Sequence, residues 1–186
     1  MKARTLTFLA AVVILCAGYA RPANAQNDSY TAMATTPGSP SGGPITFNFS
    51  ITKWSTQDDI QRLGGILKDK GQSALLEELK NMDSGRIAKK GDTGNQIAIA
   101  EKWQDGTDTV ITMITARRMS MWEQKSRAVS TKYPLSFLQV RLNANGEGKG
   151  TLVTSAAVKY DKKAGTYRLD PYGNGVTPVT NVKPAR

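Results

Sequence analysis

The sequence predicts an α+β protein in which a two-helix hairpin packs on a curved, mainly antiparallel sheet of about seven or eight strands. Residues 57–82 carry apolar side chains at helical spacing, and everything after Gly85 reads as strand-like runs divided by turn residues. No alternation of strand and helix points to a parallel sheet. The chain has 186 residues, of which 39% are hydrophobic and 22% charged. That is too apolar for a wholly disordered chain and too interrupted for several membrane spans.

At the start, Lys2 and Arg4 precede an uncharged stretch through Ala20, and Ala23-Asn24-Ala25 supplies the small-x-small pattern a signal peptidase needs. Residues 1–25 are therefore expected to be a signal peptide, cut before Gln26. The dense apolar run from Phe8 to Cys16 is short for a bilayer crossing, and no transmembrane span is expected in the mature chain. Leu15 before Cys16 disfavours lipid attachment, and no adjacent arginine pair marks twin-arginine export. The expected destination is periplasmic or extracellular. Processing would remove Lys2, Arg4, Arg21 and the lone cysteine, leaving 22 basic and 15 acidic residues and a net charge of +7 over 161 residues. Without disulfides, stability must come from a core, and a chain of this size buries roughly two-thirds of its unfolded surface.

Residues 26–44 include Thr36-Pro37-Gly38-Ser39-Pro40-Ser41-Gly42-Gly43-Pro44 and show no apolar period, so they are expected to form a disordered arm rich in Pro, Gly and Ser. A single α+β domain is expected over residues 45–186. It opens with Ile45, Phe47, Phe49 and Ile51 alternating with polar residues, the period of a strand with one buried face. Ser55 or Thr56 can cap the first helix, Asp58 and Asp59 suit its first turn, and Ile60, Leu63 and Leu67 share a face that ends near Gly71. Gly64 and Gly65 each cost up to about 1 kcal/mol there, which a close approach to a neighbouring element would offset. Ser73 is expected to start a second helix with Leu75, Leu76, Leu79 and Met82 as its apolar stripe, and Gly85 stands where a terminating residue belongs.

Strands follow at about 86–90, 95–104, 108–116, 135–143, 150–160, 165–169 and 176–183. Asp105-Gly106 and the glycine-rich loop at residues 143–148 lie between such runs, which favours antiparallel hairpins. Residues 117–134 have no legible pattern.

The strongest chemical statement is an absence. With no histidine anywhere and no thiol after processing, a Ser-His-Asp triad, a histidine-bearing zinc site and a cysteine nucleophile are closed, and no cofactor is expected. Ser-Lys, paired-carboxylate and tyrosine designs stay open. Asp58-Asp59 and Glu77-Glu78 are adjacent pairs that point about 100° apart on a helix, which suits capping and solubility better than acid-base work. Glu101 and Glu123 could meet only through the fold and are given no catalytic role. Gly146-Glu147-Gly148-Lys149-Gly150-Thr151 has phosphate-loop glycines, but its lysine precedes a glycine and a strand-like run follows, so it reads as a hairpin loop.

The candidate binding surface is the basic segment holding Arg117, Arg118, Trp122, Lys125, Arg127, Lys132 and Arg141 against Glu123 alone, with Tyr133 and Phe137 interspersed. Guanidinium groups beside aromatic rings could hold anionic lipid, polysaccharide or another envelope protein; nucleic acid is not an expected partner of an exported chain. The plainer reading is a solvated basic edge that blocks strand-to-strand aggregation. A further alternative is a carrier of a small apolar ligand lined by Trp54, Trp103, Ile97, Ile99, Ile111 and Met113, residues that ordinary core packing also predicts.

Residues Thr56-Gln57-Asp58-Asp59-Ile60-Gln61-Arg62-Leu63 through Gly71-Gln72-Ser73-Ala74-Leu75, and the tail Val153-Thr154-Ser155-Ala156-Ala157-Val158-Lys159-Tyr160 through Thr180-Asn181-Val182, resemble exported bacterial proteins of unknown function over about residues 50–183. The resemblance implies a bacterial envelope setting and one domain, and no activity or site residue. In that setting the Asn-x-Ser matches at Asn27 and Asn48 lose weight as glycosylation sites. The expectation is thus a non-enzymatic exported binding or structural protein, with the apolar carrier and a histidine-free hydrolase as alternatives.

Overall fold

Where side chains alternate between apolar and polar the chain forms strands, and the computed structural model, which describes residues 28–35, 43–117, 132–173 and 176–185, joins them into one antiparallel sheet. In chain order the elements are β1 (Asp28–Ala34), β2 (Ile45–Ile51), α1 (Gln57–Lys70), α2 (Gln72–Lys80), β3 (Gly85–Lys89), β4 (Asn95–Ile97), β5 (Ile99–Asp105), β6 (Asp108–Thr115), β7 (Leu135–Leu142), β8 (Gly148–Asp161), β9 (Thr166–Pro171) and β10 (Val176–Pro184). The sheet order is β4-β3-β2-β1-β10-β8-β7-β6-β5, with β9 also on β8. These ten strands curl through 265° in a nearly closed, barrel-like arrangement beside the two helices, a strand-rich α+β fold.

The inward face is the alternating set. Phe47, Phe49, Ile51, Ile111, Leu138 and Leu152 are each at most 1% exposed and belong to one buried cluster. Burial of such a side chain is worth about 1.5–3 kcal/mol. Curling a sheet this tightly brings neighbouring backbones together on the inside, and the inward positions 148 and 150 of β8 are glycines. A side chain at either would collide with the backbone of Arg141 or Gln139 on β7.

A second cluster forms on the other face. Leu63 and Leu67 of α1 and Leu75 and Leu79 of α2 pack with Ile99, Ala98 and Leu135. Thr56 caps α1: its hydroxyl accepts from the Asp59 amide at 3.1 Å, while the Asp59 carboxylate accepts from the Thr56 amide at 3.0 Å. Those bonds from Thr56 hold the Asp59 carboxyl below its ordinary pKa. An exposed ion pair, Arg62–Glu78 at 2.8 Å, joins the helices.

Four expectations need correction. The supposed arm at 26–44 contains β1, which lies mid-sheet between β2 and β10, so the ordered fold starts well before residue 45. Its inward residues Ala32 and Ala34 are fully buried yet small, with Phe47 opposite Ala32 supplying the bulk; alanines give little apolar signal. That strand, together with a break at Ala98 that divides the expected 95–104 run into β4 and β5, raises the strand count above seven or eight. The second helix starts at Gln72 with Gly71 at its N-cap and no side-chain cap, so Ser73 is already inside it. Asn81, not Gly85, follows its last turn, and Gly85 opens β3.

The two helix glycines differ. A methyl added at Gly64 would stand 2.8 Å from the Tyr167 hydroxyl, whereas one added at Gly65 meets nothing within 4 Å. Gly65→Ala should therefore raise the unfolding free energy by up to about 1 kcal/mol, and Gly64→Ala should gain less or lose stability because Tyr167 must yield. Urea denaturation of the two variants measures this; equal gains would show that the Tyr167 contact is loose.

Candidate functional site

β6 and β7 lie side by side with Thr115 opposite Ser136, so the ends of the 117–132 connection meet at one corner of the sheet. Ser136 Oγ donates to the Arg117 carbonyl at 2.9 Å, and Thr115 Oγ1 donates to the same oxygen. Gln72 at the start of α2 donates to the Lys132 carbonyl at 3.1 Å and accepts from the Val158 amide at 2.8 Å. The backbone is thereby anchored at both ends, and the Arg117 and Lys132 side chains are exposed. Arg118, Trp122, Lys125 and Arg127, with Glu123, lie outside the described residues. Arg141 does not join this corner. It sits five positions along β7 from Ser136, about 17 Å at strand rise, where Asp105 and Asp108 both contact its guanidinium. Asp105 first and Asp108 second raise its pKa.

Near Arg141 an open cleft of about 410 Å³ is lined by Asp108, Asn143, Glu147, Lys149 and Asn181 among others. Its charges are mixed. Asn181 adopts φ 52° at a β10 bulge that shifts register against both β1 and β8, a conformation asparagine tolerates better than most residues. The hairpin loop below it confirms that the glycine-rich 143–148 stretch connects two strands rather than a strand and a helix.

The residues considered for an apolar chamber are divided among four places. Ile97, Ile111 and Met113 are at most 1% exposed inside the curl, Ile99 packs under the helices, and Trp103 stands 40% exposed on the outer side of β5. A chamber large enough for a ligand would leave accessible area on its lining, and the three inner residues have almost none. Trp54 closes the seam instead: Lys102 Nζ lies 4.3 Å from its ring centroid and 3.3 Å from Asp28 Oδ2.

A basic feature missed in the sequence lies at the β8–β9 hairpin. Beyond Ala156, β8 pairs with β9 alone among the described residues. Tyr160 and Tyr167 face each other with centroids 5.2 Å apart, and Lys68 of α1 stands over Tyr160 at 5.7 Å. Lys162 and Lys163 form the exposed turn, and Arg168 is exposed opposite Lys159, which pairs with Asp170 at 2.6 Å. The local run from Lys159 to Lys163 was a signal, but the contribution of Lys68 depends on how α1 docks.

The chain matches no family model, and no curated protein and no solved structure is detectably similar to it. Among the described residues, no helix is long and apolar enough to cross a membrane.

Glu101, on the outer side of β5, has no cation beside it among the described residues, and burial pushes its carboxyl above the ordinary carboxylate range. The folded chain then holds that proton more tightly than the unfolded chain, so this group makes stability fall as pH rises from the ordinary to the raised value. Glu101→Gln should gain up to about 1 kcal/mol at neutral pH, kept small by partial solvent screening, and nothing below the carboxyl range. Denaturation at acidic and neutral pH tests this; a loss at neutral pH would reveal a partner for the carboxylate.

Proposed function

We propose that this chain is a non-enzymatic, exported protein of the bacterial envelope that acts by presenting its outer surface to another envelope component. The observation that carries this reading is the filled interior: the curled sheet spends its inward face on large, wholly buried side chains, which leaves the exterior for recognition. The leader-like residues 1–25 and the resemblance to exported bacterial proteins support the setting. The absence of histidine from the chain supports the non-enzymatic half. Charged groups on the exterior make any such recognition sensitive to salt.

Immobilised protein, purified after expression of the complete chain so that the cell sets the processing site, should retain a component of a bacterial envelope extract at low salt and release it as salt rises. Retention of nothing at low salt, or steady turnover of a defined compound in a broad hydrolase substrate panel, overturns the proposal.

A further inference from the structure

We infer that the β8–β9 hairpin tip, with the end of α1 beside it, is a docking point for an anionic lipid surface; this rests on the envelope reading above. Lys68, Lys162 and Lys163 are exposed without an ion-pair partner among the described residues; Arg168, also exposed and unpaired there, lies on the opposite face of the β8–β9 ribbon from Tyr167 and Lys68. Arg62, Lys80, Lys102, Arg141 and Lys159 are each matched by a carboxylate, whereas, among the described residues, other exposed cations such as Lys53, Arg86, Lys89 and Lys149 are not. The hairpin tip differs in that its turn lysines and Lys68, over Tyr160, come from two distant stretches of chain. The turn that carries the lysines is built rather than loose. Asp161 Oδ1 accepts from the amides of Lys163 at 3.0 Å and Ala164 at 3.2 Å, and the Gly165 amide donates to the Asp161 carbonyl at 2.8 Å. The Asp161 carboxylate is thus engaged by backbone amides and that of Asp170 by Lys159, while the two turn ammonium groups reach into solvent.

The arrangement suits a plane better than a threaded polymer. Beyond Ala156 no other strand pairs with the hairpin among the described residues, and its turn lysines are exposed. Recognition of a sugar or a base would use open aromatic faces, but Lys68 covers Tyr160, and Tyr167 is engaged by Tyr160 and by α1 at Gly64. α1 adds direction, with Asp58 and Asp59 in its first turn and Lys68 and Lys70 in its last. An anionic surface therefore attracts one end of the helix and repels the other. Lysine close to such a surface contributes a salt-screened attraction that grows with each added charge.

The test uses protein purified after expression of the complete chain and sedimentation with two vesicle types, phosphatidylcholine alone and equal parts phosphatidylcholine and phosphatidylglycerol. Binding to the anionic vesicles only, lost with added sodium chloride, is expected. Lys162→Glu/Lys163→Glu should weaken it by at least roughly thirtyfold. Lys89→Glu/Lys90→Glu, an equal charge change at the β3 end, should weaken it much less, with circular dichroism confirming that both variants fold. Equal loss in both variants, equal binding to neutral vesicles, or tighter binding of soluble polyphosphate than of the vesicles overturns the lipid assignment. If vesicles fail while envelope extract still yields a retained component, the surface role stands and this assignment alone falls.

Discussion

The pairing of β1 with β10 holds the rest of the sheet together. The strands before Ala98 form one meander, β1 through β4, and those after it form a second group, β5 through β10, in which β10 pairs with β8. Among the described residues, two links join them within the sheet: the β1–β10 ladder on one side and the single residue Ala98 on the other. The first link pairs residues more than 140 positions apart in sequence, such as Ala34 with Val179. Loop-closure entropy opposes a contact of that span until most of the chain is available, so the curled sheet is completed late, when both groups of strands exist. Without the ladder the inward faces of the two groups would have nothing to close against, and the shared cluster that includes Ala32, Phe47, Leu138 and Val179 would be split open.

At the other link the sheet stops short of closure, and the seam shows how an open edge is managed. Ala98 donates to the Ile114 carbonyl at 2.8 Å and its own carbonyl accepts from Ser84 Oγ at 3.1 Å. Ser55 then bonds Ala100 in both directions, its amide donating at 2.7 Å and its hydroxyl accepting at 3.2 Å. Since Ala100 turns its backbone groups outward, alternation puts those of Lys102 and Gln104 on the same free edge. Lys102 stands in the register row of Ile111, Val140 and Val179, an inward-directed charge on an edge strand. Such a charge makes pairing with a second chain costly, because an added strand would trap the ammonium away from water. Trp54 and Asp28 give it a local home.

Local chemistry made much of this fold legible in the sequence. The Thr56 cap, the α1 stripe, the β6 and β7 alternation and the Asp105-Gly106 turn all depend on near neighbours, and each lies where spacing and residue type place it. What stayed hidden depends on distant partners. Ala32 and Ala34 become core residues only because Phe47 and the β10 side chains surround them. Ala98 breaks a continuous strand-like run because the two edges of a closing sheet meet there. The candidate basic segment was equally opaque: charge spacing cannot reveal that Asp105 and Asp108 take up Arg141, or that Ser136 anchors the Arg117 carbonyl and Gln72 that of Lys132.

Gly64 connects packing to surface chemistry. Without a side chain there, Tyr167 fits against α1, and the ring pair it makes with Tyr160 lies close under the helix. One turn further on, Lys68 then comes to rest over Tyr160, in the strand that leads into the hairpin turn. A larger residue at position 64 would hold the hairpin away from the helix and separate Lys68 from Tyr160. The glycine that weakens the helix in isolation is therefore what lets Lys68 of α1 reach the base of the lysine-bearing hairpin. The surface follows from that packing contact, because no run of the sequence contains those cations together.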